Sequence, residues 1–282
     1  LQHYEKSFLI AEDAVEFSKK LLKENVKAID IAEAVEKRIF DLGAKPAWPV
    51  NISINEIAAH YTPSKNDELV LKNGNLVKVD IGAHVNGYIC DRAYTVCIGA
   101  KSHPLIETSE KALDKVLKMF TPGTTVSEIS QVTEDTVSEM GFTTIKNLAG
   151  HRLERYQQHA YPSIPNSKNS INEKIESGKV YAMEIFVTDG SGMVVDSSPT
   201  GIFQYNKDAT VRLWEARQLL DISKTNFEKL PFTQRWISGI SPIKIGLALR
   251  QLIDSGAIIE YPPLKEESNA PVAVTEKSVI VK

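Results

Sequence analysis

The chain has 282 residues, of which 42% are hydrophobic and 24% are charged, and its formal net charge is −3. These values are typical of a globular protein with a substantial core, and they exclude the strongly basic balance of many nucleic-acid-binding proteins. A membrane span is also excluded, because no apolar run approaches about 18 residues, and the first residues lack the features of a signal peptide. Cys90 and Cys97 fall on opposite faces of one predicted strand, so they cannot form a bridge there, and we expect a reduced, cytoplasmic protein.

Apolar residues at helical spacing predict four amphipathic helices in the first half of the chain. The predicted spans are 5–24, 30–42, His103 to near Phe120, and Thr125 to Gly141. Capping boxes are predicted for the second helix, from Asp30 and Glu33, and for the fourth helix, from Thr125 and Glu128.

The second and fourth helices match at a fixed offset of 98 residues, which pairs Ile31 with Ile129 and Gly43 with Gly141. Two generic amphipathic helices could agree in this way by chance. We interpret the match as a duplicated α/β half-domain, with a functional site between the halves, where clefts tend to form.

Two β-rich segments flank Asn86-Gly87, a dipeptide that strongly favours a two-residue hairpin turn. With that turn, Asp80 lies opposite Ala93, and Asp91 lies opposite Gly82. Directly opposed residues share a face, so both aspartates lie on one face as diagonal neighbours, roughly 7–8 Å apart. Either they hold divalent cations together, or one pairs with a surface lysine while the other marks a frayed end. We favour the first interpretation, because buried carboxylates are normally paired or bound to metal.

The second half of the chain contains a predicted Pro- and Asn-rich loop at 147–166 and strands at 179–192 and at the end of the sequence. Glu184 and Glu276 lie inside these two strands. Helical patterns at 213–222, 231–238 and 243–255 predict a small helical insert.

Five polar residues therefore stand in strand-like or apolar surroundings: Asp80, Asp91, His151, Glu184 and Glu276. Each of them alone is weak support for a site, since a strand glutamate usually faces solvent and a lone histidine is usually structural. As a set, four carboxylates and one imidazole are suitable ligands for two divalent ions such as Mn, Co, Fe or Zn.

Five motifs then resemble the type II methionine aminopeptidases, most closely the archaeal form. They are AAHYTP at 58–63, VDIGAHVNGYICDRAYTV at 79–96, AGHRLERYQQHA at 149–160, YAMEIF at 181–186 and YPPL at 261–264. The resemblance implies a pita-bread fold, in which two pseudo-symmetric α/β halves hold two metal ions. It also implies a catalytic domain at 1–205 and 261–282 and a winged-helix-like insert at 206–260, called the insert below.

The resemblance further implies a role for each matching residue. Asp80 would chelate one metal, Asp91 and Glu276 would bridge both, and His151 and Glu184 would complete one site. His60 would contact the substrate and His159 its scissile carbonyl, while Glu184 would shuttle protons. The methionine pocket would be lined by Trp48, Gln158, Ile202 and Tyr261.

Two departures from the family pattern stand out. Trp48 replaces a common phenylalanine, which changes size more than character. Around Glu276 the family usually has Gln-Phe-Glu-His-Thr, whereas this chain has Val274, Thr275, Glu276, Lys277 and Ser278. Changes next to a ligand can cost about 10–100-fold in metal affinity or activity.

The implied function is removal of the N-terminal methionine from peptides and nascent chains when the next residue is small. The expected protein is a monomer with transient proximity to the ribosome, without a membrane or a specific nucleic-acid partner. One alternative is an Xaa-Pro dipeptidase of the same fold, against which AAHYTP and the insert argue. Another is a non-catalytic pita-bread protein that binds RNA or ribosomes, against which the five retained ligands argue.

Overall fold

A computed structural model describes residues 2–282, and Leu1 lies outside the described residues. The helices are α1 (Gln2–Lys19), α2 (Ala28–Asp41), α3 (Pro104–Leu117), α4 (Val126–Glu139), α5 (Trp214–Phe227) and α6 (Pro242–Asp254). The strands are β1 (Lys45–Pro46), β2 (Asn51–Ile54), β3 (Ile57–Ala59), β4 (Leu76–Val85), β5 (Tyr88–Cys97), β6 (Thr143–Thr144), β7 (Ala149–Glu154), β8 (Gln157–Pro165), β9 (Val180–Thr188), β10 (Val194–Asp196), β11 (Ile202–Tyr205), β12 (Ile258–Tyr261), β13 (Leu264–Glu266) and β14 (Val272–Ile280). Within residues 2–282, every helix is too short or too polar to serve as a membrane span.

A nine-stranded sheet forms the centre of the molecule, with strand order β1-β4-β5-β14-β9-β7-β8 and with β2 and β6 paired at its sides. The last strand of the sequence, β14, lies between β5 of the first half and β9 of the second half. Because β14 is antiparallel to both neighbours, it joins the two halves through one continuous ladder of backbone hydrogen bonds.

The predicted duplication is confirmed by the helices and by the cores of the two halves. Helix α2 spans 28–41 and α4 spans 126–139, so both ends of the two helices agree with the offset of 98. One hydrophobic core lies between α1, α2 and the β4–β5 hairpin, and a second lies between α3, α4 and the β9–β14 pair. The helices of both halves thereby cover one face of the sheet and leave its other face to form a cleft.

The predicted hairpin is confirmed, since Asp80 pairs with Ala93 and Gly82 with Asp91. Asn86 and Gly87 both have positive φ, at 54° and 84°, as a type I′ turn requires. Gly87 also packs against the Tyr156 ring, which would come within 2.4 Å of an added Cβ. Cys90 and Cys97 are free thiols.

The capping box at α4 is confirmed, but the one predicted at α2 is wrong. Thr125 accepts a hydrogen bond from the Glu128 backbone N–H, and the Glu128 carboxylate accepts one from the Thr125 N–H. Helix α2 instead begins at Ala28, whose N–H donates to the Leu69 carbonyl. This tertiary contact starts the helix earlier, so Asp30 lies within the first turn rather than at its cap.

Residues 147–166 form the β7–β8 hairpin, so the loop predicted there is wrong. The turn contains Tyr156, which has a φ of 57° and whose N–H donates to the Gly87 carbonyl of the first hairpin. Strand β7 also pairs with β9. These long-range pairings override the local turn propensity of the proline and asparagine residues.

The insert has a hydrophobic core of its own between α5 and α6. Helix α5 runs to Phe227, beyond the predicted 213–222, and the helix predicted at 231–238 is only a 3₁₀ turn, Gln234–Trp236. The insert joins the rest of the chain through β11 and β12, where Ile202 pairs with Tyr261. The limits 206–260 remain a prediction.

A buried carboxylate fixes the small sheet β10-β13-β3 beside the cleft. Glu266 accepts hydrogen bonds from the Ser191 hydroxyl at 2.7 Å, the Ser268 hydroxyl at 2.6 Å, and the backbone N–H groups of Gly192, Ser268 and Ala270. Burial raises the pKa of Glu266, but these donors outweigh burial and lower it to about 2.

We expect Glu266→Gln to destabilise the protein by about 3 kcal/mol at neutral pH, which is the free energy that corresponds to lowering a pKa from 4.5 to about 2. A lowered carboxyl pKa stabilises the folded state above pH 4.5, and this contribution is lost as the pH falls toward 2. Denaturant unfolding should therefore show that the difference in unfolding free energy between the two proteins becomes smaller as the pH falls from 4.5 to 2. A difference independent of pH would contradict this account.

Candidate metal centre and active site

Three carboxylates lie in one row across four adjacent strands of the central sheet. Asp80 of β4 is opposite Ala93 of β5, Ala93 is opposite Glu276 of β14, and Glu276 is opposite Glu184 of β9. Directly opposed residues share a face of a sheet, so all three carboxylates point into the cleft.

Asp91 and His151 lie level with positions two residues away from that row along the strands, so their side chains face the same side of the sheet. Asp91 precedes Ala93 by two residues, and His151 of β7 is opposite Ala182, which precedes Glu184 by two residues. His151 Nε2 lies 3.6 Å from Asp91 Oδ2 and 3.9 Å from Glu184 Oε1. Asp91, His151 and Glu276 offer ligand atoms that all lie within 4.8 Å of one another.

The charges at this cluster have no positive side chain to balance them. Asp91, His151 and Glu276 are only 3–4% exposed, and Asp91 Oδ1 and Glu276 Oε1 lack any hydrogen-bond partner within residues 2–282. No lysine or arginine in that part of the chain forms an ion pair with any of the four carboxylates. Burying unpaired carboxylates in this way is unfavourable unless a cation neutralises them.

Burial and mutual repulsion shift the protonation of these groups. Burial raises the pKa of Asp80 to about 7, although the hydrogen bond from Trp48 acts to lower it. Burial also raises the pKa values of Asp91, Glu184 and Glu276 well above their usual range, and neighbouring carboxylates raise them further. Burial also lowers the pKa of His151 to about 3, so its imidazole is neutral and free to bind a cation. Oxygen and imidazole donors with unmatched negative charge fit a divalent metal ion of the Mn, Fe, Co or Zn type.

Trp48 forms a hydrogen bond to Asp80, one of the candidate metal ligands. Its indole Nε1 donates to Asp80 Oδ1 at 3.0 Å. The indole lies against Gly82, where an added Cβ would come within 2.5 Å of the ring. The absence of a side chain at Gly82 therefore allows the indole to reach Asp80.

The residues around Glu276 include a hydroxyl that contacts the backbone of another candidate ligand. Ser278 stands where the family usually has threonine, and its Oγ accepts from the Asp91 N–H at 2.8 Å and donates to the Asp91 carbonyl at 3.0 Å. Thr275 lies on the opposite face and contacts the Ser109 hydroxyl at 2.7 Å. Ser278 thus fixes the backbone that carries Asp91, whereas Thr275 contacts α3 on the other face of the sheet.

His60, His159 and Tyr261 form an aromatic group above the carboxylates. The ring centroid of Tyr261 lies 5.7 Å from His60 and 6.2 Å from His159, and His159 lies 4.6 Å from His151. His60 has a φ of 64°, and its Nδ1 lies 3.3 Å from the Pro262 carbonyl. Burial lowers the pKa values of His60 and His159 to about 4, so both imidazoles are neutral near pH 7.

All eleven candidate site residues line a single pocket. They are Trp48, His60, Asp80, Asp91, His151, Gln158, His159, Glu184, Ile202, Tyr261 and Glu276. The structure thus brings every one of them together, while their individual roles remain predictions.

Sequence reasoning missed Lys78, which lines the same pocket and is 1% exposed. Its Nζ donates to the Asn55 carbonyl at 2.5 Å, and burial lowers its pKa well below the usual range. Lys78 precedes Asp80 by two residues in the predicted strand, so strand alternation alone could have placed it on the same face.

Comparisons with known proteins show which family the chain resembles. The profile described as metallopeptidase family M24 matches residues 2–212. A methionine aminopeptidase from Pyrococcus abyssi is 44% identical over 274 residues, which cover 96% of this chain and 93% of that protein.

Two solved structures share the fold at lower identity. A methionine aminopeptidase from Thermotoga maritima has a TM-score of 0.73 at 21% identity and aligns with 100% of this chain and 93% of its own. A thermophilic Arx1 has a TM-score of 0.87 at 17% identity, with 98% of this chain and 86% of that chain covered. At these identities the two structures support the fold alone.

We expect Trp48→Phe to weaken binding of Mn²⁺ by about 10-fold, because the phenyl ring fills the same wall but cannot donate to Asp80. Titration of the metal-free protein by calorimetry would measure the change. Tyr261→Phe is the matched control, since it removes a hydroxyl that lies in the same pocket but donates to Gln204 rather than to a carboxylate. Equal affinity in Trp48→Phe and the unmodified protein would show that the indole does not support Asp80.

Proposed function

The chain belongs to metallopeptidase family M24, and on this premise we propose that it is a type II methionine aminopeptidase of the archaeal kind. It hydrolyses the bond after an N-terminal methionine in peptides and nascent chains, with preference for a small second residue. The observation that carries the proposal is one pocket in which four carboxylates, three histidines and an apolar wall meet.

Asp80, Asp91, His151, Glu184 and Glu276 would hold two divalent ions per chain, of Co, Mn, Fe or Zn. When bound, such ions polarise a peptide carbonyl and make a water molecule more acidic. Two carboxylate oxygens without a hydrogen-bond partner support this proposal. So does the lack, within residues 2–282, of a lysine or arginine paired with the carboxylates.

Glu184 is the residue best suited to move a proton between the attacking water and the leaving amine. Its carboxylate would accept a proton from the attacking water and then donate that proton to the leaving amine. It lies at the edge of the carboxylate row, and its Oε1 is 3.9 Å from His151 Nε2.

His159 donates a hydrogen bond to the scissile carbonyl. Because its pKa is lowered to about 4 by burial, the imidazole is neutral and one ring nitrogen carries a proton at pH 7. That bond strengthens as negative charge develops on the oxygen, and such a change lowers the barrier rather than merely tightening substrate binding.

The methionine side chain packs against the part of the pocket that is lined by Trp48, Gln158, Ile202 and Tyr261. Trp48 and Ile202 are buried, and Ile202 is held opposite Tyr261 at the base of the insert. The rings of His60, His159 and Tyr261 crowd the opening, which supports the preference for a small second residue.

Comparison of a Met-Ala-Ser peptide with an Ala-Pro peptide tests the proposal directly. We expect cleavage of the first and little of the second. Preferential cleavage of Ala-Pro would identify an Xaa-Pro dipeptidase, and failure to cleave either peptide with Co²⁺, Mn²⁺, Fe²⁺ or Zn²⁺ would contradict an aminopeptidase function.

Two variants separate catalysis from metal binding. His159→Ala should lower kcat by about 10²–10³-fold with unchanged metal content, because His159 supports the carbonyl and is not one of the five ligands. Asp91→Asn removes a charge from the centre of the cluster and should deplete both bound metal and activity.

Metal stoichiometry and turnover of Met-Ala-Ser should be measured together on both proteins. His103→Ala is the matched histidine control, since His103 caps α3 outside the pocket. If His159→Ala loses metal as severely as Asp91→Asn does, His159 is a ligand and the assignment is wrong.

A further inference from the structure

An almost fully buried ion pair connects the insert to the first half of the catalytic part. Arg235 lies in the 3₁₀ turn of the insert, and Glu36 lies in α2. The two guanidinium nitrogens Nη1 and Nη2 donate to the two Glu36 oxygens at 2.6 and 2.7 Å, and the side chains are 3% and 6% exposed. Trp236 Nε1 donates to the same carboxylate at 2.8 Å.

Arg235 also contacts the segment that follows His60. Its Nε donates to the Pro63 carbonyl at 2.8 Å, and its Nη2 donates to the Thr62 hydroxyl at 3.0 Å. Thr62 lies two residues after His60, whose φ of 64° is unfavourable for a residue other than glycine. Such a conformation persists only where surrounding contacts determine it.

Glu36 contacts the segment that follows Trp48. Its Oε1 accepts from the Val50 N–H at 3.1 Å, and the Val50 carbonyl in turn accepts from the Thr62 hydroxyl at 2.9 Å. Val50 lies two residues after Trp48. One network therefore holds the two chain segments that carry two pocket residues, Trp48 and His60.

We propose that Arg235 is a positioning residue, through which the insert fixes His60 and Trp48 at the pocket wall. This proposal rests on the proposed function for its effect on substrate but not for its effect on His60. The fork of the guanidinium is necessary, because a single nitrogen cannot reach Glu36, Thr62 and Pro63 together. The proposed metal ligands lie on β4, β5, β7, β9 and β14, whereas the hydrogen bonds of the Arg235 side chain within residues 2–282 go to Glu36, Thr62 and Pro63.

The test uses the full chain and the variant Glu36→Gln/Arg235→Met. The double change avoids a buried charge without a partner, which would destabilise the fold by itself. At saturating Mn²⁺ we expect unchanged metal stoichiometry, a KM for Met-Ala-Ser raised by about 10-fold or more, and several-fold faster acylation of His60 by diethyl pyrocarbonate, measured by mass spectrometry. A purely structural role would lower the active fraction, and hence kcat, without a change in KM.

Arg38→Met is the matched control, since Arg38 lies on α2 with Glu36 but pairs with Asp13 of α1, and neither residue of that pair lines the pocket. It should leave KM and the acylation rate of His60 unchanged. Arg235→Lys keeps the charge but loses the fork, so it should shift both quantities in the same direction by a smaller amount. It also replaces the double variant if that protein fails to fold.

Unchanged KM and unchanged acylation of His60 in a folded variant would overturn the proposal. The acylation experiment contains no peptide, so it decides whether Arg235 positions His60 even if the unmodified protein cleaves no methionine peptide. In that case the proposed function fails while the positioning role is still decided.

Discussion

Four carboxylates on one face of a sheet, two of them buried and two half-buried, impose the main constraint on this molecule. Taking one such charge out of water costs several kcal/mol, and no lysine or arginine within residues 2–282 pairs with any of them. The fold must therefore supply compensating stability elsewhere, through the two hydrophobic cores on the opposite face. Without a bound cation these carboxyls keep their protons more readily, as their raised pKa values indicate, and a cation in the cleft would take the place of those protons. The two hydrophobic cores thus stabilise a fold that also carries the unfavourable cluster of carboxylates.

Local signals in the sequence predicted much of this arrangement. Asn86-Gly87 determined the register that places Asp80 and Asp91 on one face, because a two-residue turn leaves only one pairing. The helix repeat predicted two halves, and the Thr125 capping box marked the start of α4. Identification of His60 and His159 as site residues depended on the family motifs, since neither residue has a distinctive spacing.

What the sequence could not predict depends on contacts between distant residues. The β7–β8 hairpin forms because β9 and the Gly87 turn pair with it, and Asp30 is not a cap because Leu69 starts α2. The pair of Glu36 and Arg235 is separated by 199 residues, and no local pattern distinguishes either residue from a surface charge. The indole bond from Trp48 to Asp80 likewise needs the open space above Gly82.

The position of β14 between β5 and β9 has a consequence for biosynthesis. A chain that emerges from its N-terminus can form both hairpins and all the helices before residues 272–280 exist. Until that strand is inserted, the two halves lack their shared ladder and the cleft lacks Glu276. Since pairings of high sequence separation form late, the completed catalytic centre should be among the last features to appear. A protein built in this order has its full set of candidate metal ligands only after almost all of its chain has been made.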